Sequence, residues 1–305
     1  MNLTSKPKVI VVTGPTASGK SALAMRLARE FGGEIISADS AQVYIGPDIG
    51  TAKPDARERA LVPHHLIDIR ALNEPFSLAD FKAAAQDLIP KIWASGHIPF
   101  VVGGSGLYLR GLCEGYTLIE TPPDAALRER LSALELPELL ARLAETDPPT
   151  YERIDRCNKR RVVRALEVIE QTGRSFTELS RRTPPPFDFL KLGLDWERQA
   201  LFARIDLRLK RMLAQGWLEE VRRLAEAGWG GALRSLRILG YPELLDAVEG
   251  KSTLEEAEEL IRLATHRFAK RQQTWFKKEP ALRTLPAGEE AYSEACRLIE
   301  EFLRL

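Results

Sequence analysis

The chain has 305 residues, with 44 Lys and Arg against 43 Asp and Glu for a formal net charge of +1, and three cysteines. That length buries a core without disulfide or metal staples. The charge balance excludes a polycation drawn to nucleic acid by bulk charge, and Cys113, Cys157 and Cys296 lie too far apart for a C-x-x-C pair or a zinc site.

No leader-like apolar segment stands at the start and no run of about 18 apolar residues occurs, so no membrane contact is expected. Idle thiols fit a reducing, cytoplasmic setting. Residues 9–12, V-I-V-V, predict a first buried strand; residues 14–21 read G-P-T-A-S-G-K-S ahead of a helical pattern with Leu23, Leu27 and Phe31 on one face. Strand, G-x-x-x-x-G-K-[ST] and helix together define a phosphate-binding loop. Its glycines let the backbone wrap a diphosphate, successive N–H groups turn inward, and the positive end of the next helix favours the anion. Gly14, Pro15, Thr16, Ala17, Ser18 and Gly19 form the expected cradle. Lys20 supplies a point charge, and the Ser21 hydroxyl is the candidate Mg²⁺ ligand. On the motif alone the ligand is ATP.

Gly32-Gly33 stops that helix, and residues 34–37 predict a second strand that delivers Asp39 at its carboxyl end. Ser77-x-x-Asp80 predicts an N-cap for a helix carrying Leu78, Phe81, Ala85, Leu88 and Ile92, with Pro90 as a point of disturbance. Residues 99–102 predict another buried strand, ending in Gly103-Gly104-Ser105-Gly106. Alternating strands and helices argue for an α/β fold with a parallel sheet flanked by helices. Ligands gather at the carboxyl ends of such strands, so the phosphate loop, Asp39 and the 103–106 turn should share one edge.

From about Gly115 the composition turns to Arg, Glu, Leu and Ala at helical spacing, punctuated by prolines at 122–123, 148–149 and 184–186. This predicts an all-helical insertion over residues 116–189, with residues 1–115 and 190–305 forming the core and residues 190–194 returning as a strand. A long helix after Asp195 buries Leu201, Ile205, Leu209 and Met212; Arg204, Arg208 and Arg211 make a basic stripe on it.

D-S-A-Q-V-Y at residues 39–44 and D-I-G-T-A-K-P at 48–54 are too rich in small and polar groups to be core, and read as loop at the ligand edge. Asp39 is there a proton acceptor, a water-mediated Mg²⁺ ligand, or a cap for the residues after it. His64 and His65 read as surface or core. Basic residues cluster at 151–164 and 265–278, which suggests a directed polyanion contact on a neutral chain. The K-R-Q-Q-T-W-F-K run at 270–277 mixes cations, amides and aromatics in the manner of a single-strand site, and reads equally as a helix packing Trp275 and Phe276 inward. Arg160, Arg161 and Arg164 read as a polyanion contact or as a solvated face paired with glutamates.

In chain order, G-P-T-A-S-G-K-S, D-S-A-Q-V-Y, D-I-G-T-A-K-P, H-x-L-I-D-I, V-V-G-G-S-G-L-Y, R-x-x-R-A-L-E-V, L-G-Y-x-E-L and K-R-Q-x-T-W-F closely resemble the tRNA dimethylallyltransferase (tRNA isopentenyltransferase) family. The resemblance implies a P-loop kinase-like fold whose helical insertion grips the tRNA anticodon stem-loop. It also implies transfer of the dimethylallyl group of dimethylallyl diphosphate to N6 of the adenosine 3′ of the anticodon, in tRNAs reading codons that begin with U. The phosphate loop then holds the donor's diphosphate rather than ATP. Asp39 becomes the general base, with Lys20, Ser21, Thr16 and Ser21-bound Mg²⁺ at the leaving group and Arg208 a second clamp on it.

The implied tRNA contacts are Asp39, Ser40, Ala41, Gln42, Ser105, Arg160, Arg161, Val162, Val163, Arg164, Arg237, Gly240, Tyr241, Lys270, Arg271, Gln272, Thr274, Trp275 and Lys277. Ser105 stands where the family often has Thr, and Cys157 where it often has Asn. The chain carries no C-terminal zinc finger of the eukaryotic kind, which points to a bacterial-type enzyme. No surface stripe demands an obligate protein partner, so a monomer is expected. Three other readings remain open: a small-molecule kinase, which leaves the basic insertion unused; a nucleotide-gated RNA-binding module, which gives Asp39 no task; and a prenyltransferase acting on free adenine nucleotides, which needs no long basic insertion.

Overall fold

The computed structural model describes residues 6–115, 119, 121–122, 124–180, 182–279, 281–286 and 288–304. Two compact units divide the chain, one of Met1–Leu109 with Pro186–Leu305 and one of Arg110–Pro185. In the first unit six strands, β1 (Lys8–Thr13), β2 (Gly33–Ser37), β3 (His64–His65), β4 (Ile98–Gly103), β5 (Asp188–Leu194) and β6 (Leu282–Leu285), form one sheet in the order β3-β2-β4-β1-β5-β6. Every pairing is parallel. The returning strand begins at Asp188, before the expected residue 190, and β6 was not anticipated at all.

A parallel sheet must be covered on both faces, which is why its central strands are continuously apolar. Ile10 and Val12 of β1, Phe100 and Val102 of β4 and Leu192 and Leu194 of β5 share one cluster with Leu23, Leu27, Ala291 and Ile299 from the helices Lys20–Glu30 and Glu290–Arg304. The intervening Val9, Val11, Ile36 and Val101 are buried as well. Gly32 ends the first helix at φ +61°, a left-handed conformation that glycine adopts without a Cβ clash. At Gly33 a Cβ would lie 2.4 Å from the Phe100 ring.

The predicted N-cap is a full capping box: Ser77 accepts from the Ala79 and Asp80 N–H groups, and Asp80 accepts from Ser77. The helix runs Leu78–Ala94 straight through exposed Pro90, so the expected disturbance does not end it. The long helix Arg198–Ala214 buries Leu201, Ile205, Leu209 and Met212, as its spacing required. A second cluster packs Val43 and Tyr44 of the loop after β2 with Trp217, Tyr241, Leu245 and Ile261 from C-terminal helices.

The named elements within the second unit are helices: Ala125–Ala133, Leu136–Thr146, Pro148–Arg153, Lys159–Thr172 and Phe176–Leu179. Leu127, Leu131, Leu139, Leu143, Val162 and Leu166 form their core. Buried Asp147 accepts from Thr150, Ser175 and the Phe176 N–H, joining the end of one helix to the starts of two others. Among the described residues no helix is long and apolar enough to cross a membrane.

Candidate active site

Strand register brings the ends of β1, β2 and β4 level: Thr13 pairs with Gly103 and Ser37 with Val102. The Thr13 hydroxyl donates to Gly103 O at 2.8 Å, and the Ala38 N–H to Val102 O at 2.7 Å. A Cβ on Gly103 would lie 2.1 Å from Ala38 O. Only a bare backbone lets the two chains approach this closely, and their approach sets the Asp39 loop beside the phosphate loop.

The phosphate loop enters its helix through Gly19 at φ +91°, with no side chain capping the first turn. The first-turn N–H groups of a helix have no partner within it, so they face the space where a diphosphate would sit. Three side chains hold the loop from outside. The Thr16 N–H donates to Gln272 Oε1 at 2.8 Å, Arg204 Nε to Ala17 O at 2.8 Å, and Trp196 Nε1 to Ser18 O at 2.9 Å. Lys20 Nζ reaches back to Pro15 O at 3.3 Å.

Lys20, Ser21 and Asp39 line one cavity of ≈ 90 Å³, together with Ser37, Gln42 and Gly103. Met25, Ile35, Ala52, Pro54 and Val102 give it an apolar wall, and Glu58 and His64 complete it. Burial pulls the Lys20 ammonium down to about 8; Arg208 adds to the shift and Asp39 opposes it. Arg208 is pulled below its ordinary range by burial, again opposed by Asp39. Two cations and one carboxylate therefore act on the same space. The basic stripe is divided by use: the charge of Arg208 acts on Lys20 and is favoured by Asp39, Arg204 holds the loop and stacks on Trp196 at 4.2 Å, and Arg211 is exposed.

Asp39 Oδ1 accepts the Ala41 N–H at 2.9 Å, a local turn that fixes the carboxylate; no helix follows for it to cap. The Gln42 amide is engaged at both ends, accepting from Ser37 Oγ at 2.9 Å and donating to Thr51 O and Ala52 O. Lys53 is held inside the same loop by Tyr44 O, Asp48 and Asp68. Buried Glu220 accepts from the Asp48 and Ile49 N–H groups and from the Tyr241 hydroxyl. The Ser40 N–H meets Ser105 Oγ at 3.4 Å, bringing the Asp39 loop to the turn after β4. Trp196, Arg204 and Glu220 carried no motif, and their roles were not anticipated.

The expected RNA-facing residues divide as well. Arg160, Arg161, Arg237, Lys270, Arg271, Thr274 and Lys277 are exposed. Val162 and Val163 are instead core of the helical unit, where the periodicity of Lys159–Thr172 turns them inward. Tyr241 is fully buried with its hydroxyl on Glu220 at 2.6 Å, and Gly240 lies under the Trp217 ring. Gln272 is 7% exposed with both ends of its amide bound, the carbonyl to Thr16 and the amine to Gly104 O. Arg164 pairs with buried Glu167 at 2.9 Å and donates to Thr121 O, so its charge is engaged inside the unit. Trp275 lies half-buried over Gly106 and edge-on to buried Phe276.

Residues 42–279 match a family model described as IPP transferase. A tRNA dimethylallyltransferase of Roseiflexus sp. is 45% identical over 300 residues, covering 97% of this chain and 98% of its own. One from Symbiobacterium thermophilum is 47% identical over 307 residues, covering 98% and 95%. Among solved structures, a tRNA isopentenylpyrophosphate transferase of Bacillus halodurans superposes with a TM-score of 0.71 at 35% identity, covering 98% of this chain and 99% of that one. A eukaryotic dimethylallyltransferase acting on tRNA gives 0.85 at 29% identity, covering 98% and 80%. With phosphate loop and Asp39 loop meeting at one sheet edge, and with relatives matched along nearly its whole length, the chain belongs to the IPP transferase family, that of the tRNA dimethylallyltransferases.

Proposed function

We propose that the protein transfers the dimethylallyl group of dimethylallyl diphosphate to N6 of the adenosine 3′ of the anticodon, in tRNAs reading codons that begin with U, with release of diphosphate. The observation that carries this reading is the single cavity shared by Asp39, Lys20 and Ser21. In the reaction a bond forms between N6 and the allylic carbon while the carbon–oxygen bond to diphosphate breaks. An adenine amine is a weak nucleophile, because its lone pair is delocalised into the ring. It therefore needs an acceptor for its proton, and the departing diphosphate needs fixed positive charge. Asp39 takes the N6 proton; Lys20, Arg208 and the first-turn N–H groups meet the leaving group. The adenosine must leave its stack to reach the cavity, at a cost of a few kcal/mol that contacts to the protein offset.

Among the described residues no group of three or more His, Cys, Asp or Glu could cage a metal. An exposed hydroxyl at Ser21 beside one carboxylate suits Mg²⁺, which binds through few protein oxygens and substrate phosphates. Ser21 would hold the ion directly and Asp39 through water. When bound, Mg²⁺ adds charge neutralisation at the leaving group.

Exposed Arg160, Arg161, Lys270, Arg271 and Lys277 suit RNA phosphates. Replacing Arg160 and Arg161 by Ala is expected to flatten the salt dependence of stem-loop binding by about 1–2 in log–log slope, with the melting temperature kept. Arg164→Ala is expected to do the reverse. It strips a partner from Glu167 and should cost on the order of 1–3 kcal/mol of stability, read by denaturant titration; an unchanged midpoint would return Arg164 to the RNA surface.

The assay that tests the reaction supplies labelled dimethylallyl diphosphate, Mg²⁺ and an unmodified anticodon stem-loop, with ATP and AMP as rivals. Label is expected in the RNA. Label on AMP would favour the free-nucleotide enzyme, and phosphoryl transfer from ATP the kinase.

A further inference from the structure

We propose that Gln272 is a positioning residue for the diphosphate donor, one that fastens the phosphate loop to the turn after β4 and takes no part in RNA contact. The inference rests on the donor reading above. Gln272 lies in the 23-residue helix Leu254–Phe276, among cations that face solvent, yet is itself buried. Its Oε1 accepts the Thr16 N–H at 2.8 Å and its Nε2 donates to Gly104 O at 2.8 Å. One side chain thus joins the donor's cradle to the turn that carries Ser105 toward the Asp39 loop.

The residue type is dictated by that task. The site needs one acceptor and one donor on the same short group: a carboxylate has no donor for Gly104 O, and an apolar chain has neither. The partner is fitted to it too. A Cβ on Gly104 would fall 2.4 Å from Gln272 Nε2, so the glycine leaves the space the amide occupies.

The neighbouring residues act in the same sense. Gln273 donates to Trp196 O at 2.9 Å, and Trp196 in turn holds Ser18 O. Arg204 holds Ala17 O. Ala17 sits at φ +61°, a conformation that alanine does not favour, so its surroundings must keep the loop in shape. A cradle of N–H groups stabilises a leaving diphosphate only if it is set before the charge develops, and a small displacement costs much of the effect. Gln272 touches no reacting atom; it acts through the loop.

The test compares wild type with Gln272→Met, which keeps length and removes both polar ends, and Gly104→Ala, which keeps the glutamine and displaces its amide. Binding of Mg²⁺ with inorganic diphosphate is measured by calorimetry, stem-loop binding by filter retention, and KM separately for each substrate. Both variants are expected to raise the diphosphate Kd and the donor KM about tenfold, the equivalent of one to two buried hydrogen bonds, while stem-loop Kd stays within about twofold. A weakened stem-loop with unchanged diphosphate binding would make Gln272 an RNA contact and overturn the proposal. Equal weakening of both would make it a general structural residue and overturn it equally. If Gln272→Met does not fold, Gly104→Ala gives the same readings. Should wild type transfer no label to RNA, the substrate assignment falls on its own, and the diphosphate affinities still decide the role of Gln272.

Discussion

Asp39→Asn is expected to lower the single-turnover rate of prenyl transfer by about 10²–10⁴, the range over which a positioned proton acceptor contributes, while the stem-loop stays bound. Asparagine is the informative replacement. Its carbonyl can still accept the Ala41 N–H that Oδ1 accepts at 2.9 Å, so the turn after β2 is kept. The lost property is the capacity to take a proton from N6. Removing the charge has a second effect, because Asp39 supports the protonated forms of both Lys20 and Arg208. The single-turnover rate at saturating donor isolates the first effect from the second, because donor affinity, which the second effect changes, no longer enters it. A variant that transfers at the wild-type rate with RNA bound would remove the carboxylate from the proton path.

The sheet edge was readable because each piece has a local cause. An apolar strand, a glycine-rich loop and a helix leave little freedom for the segment 9–31, and the Gly103 to Gly106 run can only be a turn where backbones approach. The edge strand β6, L-R-T-L, is four residues long and half polar, so nothing in its pattern separates it from loop. The RNA-facing set was read too broadly, for a physical reason: a motif fixes residue types, whereas exposure follows helical phase. Ala269, Gln272 and Phe276 recur at three and four residues along Leu254–Phe276, the spacing of one buried face. That phase already separates Gln272 from Lys270 and Arg271. The same reasoning places Val162 and Val163 inside, and puts Arg208 on the face of Leu201, Ile205 and Met212. No such signal exists for Trp196 or Arg204, whose roles depend on where the segment after β5 and the helix Arg198–Ala214 that follows it meet the loop.

Lys20 should give the donor's kinetics an alkaline limit. Burial and the nearby Arg208 hold its ammonium near 8 in the protein without donor, well below the ordinary lysine range. The charged form is the one that attracts diphosphate. Donor kcat/KM is therefore expected to be level below about pH 8, as far as this group decides it, and to fall about tenfold per pH unit above. A bound diphosphate adds negative charge beside the ammonium and raises its pKa, so kcat at saturating donor should hold to higher pH. Lys20→Met should abolish the limit and lower donor kcat/KM at pH 7 by about 10²–10³, the effect of removing one fixed charge from a leaving-group site. Lys20→Arg should also remove the limit, because guanidinium stays protonated, but its planar fork fits the same space poorly and restores only part of the rate. If the fall above pH 8 persists in Lys20→Met, another group sets it and the lysine is not the charge that the donor meets first.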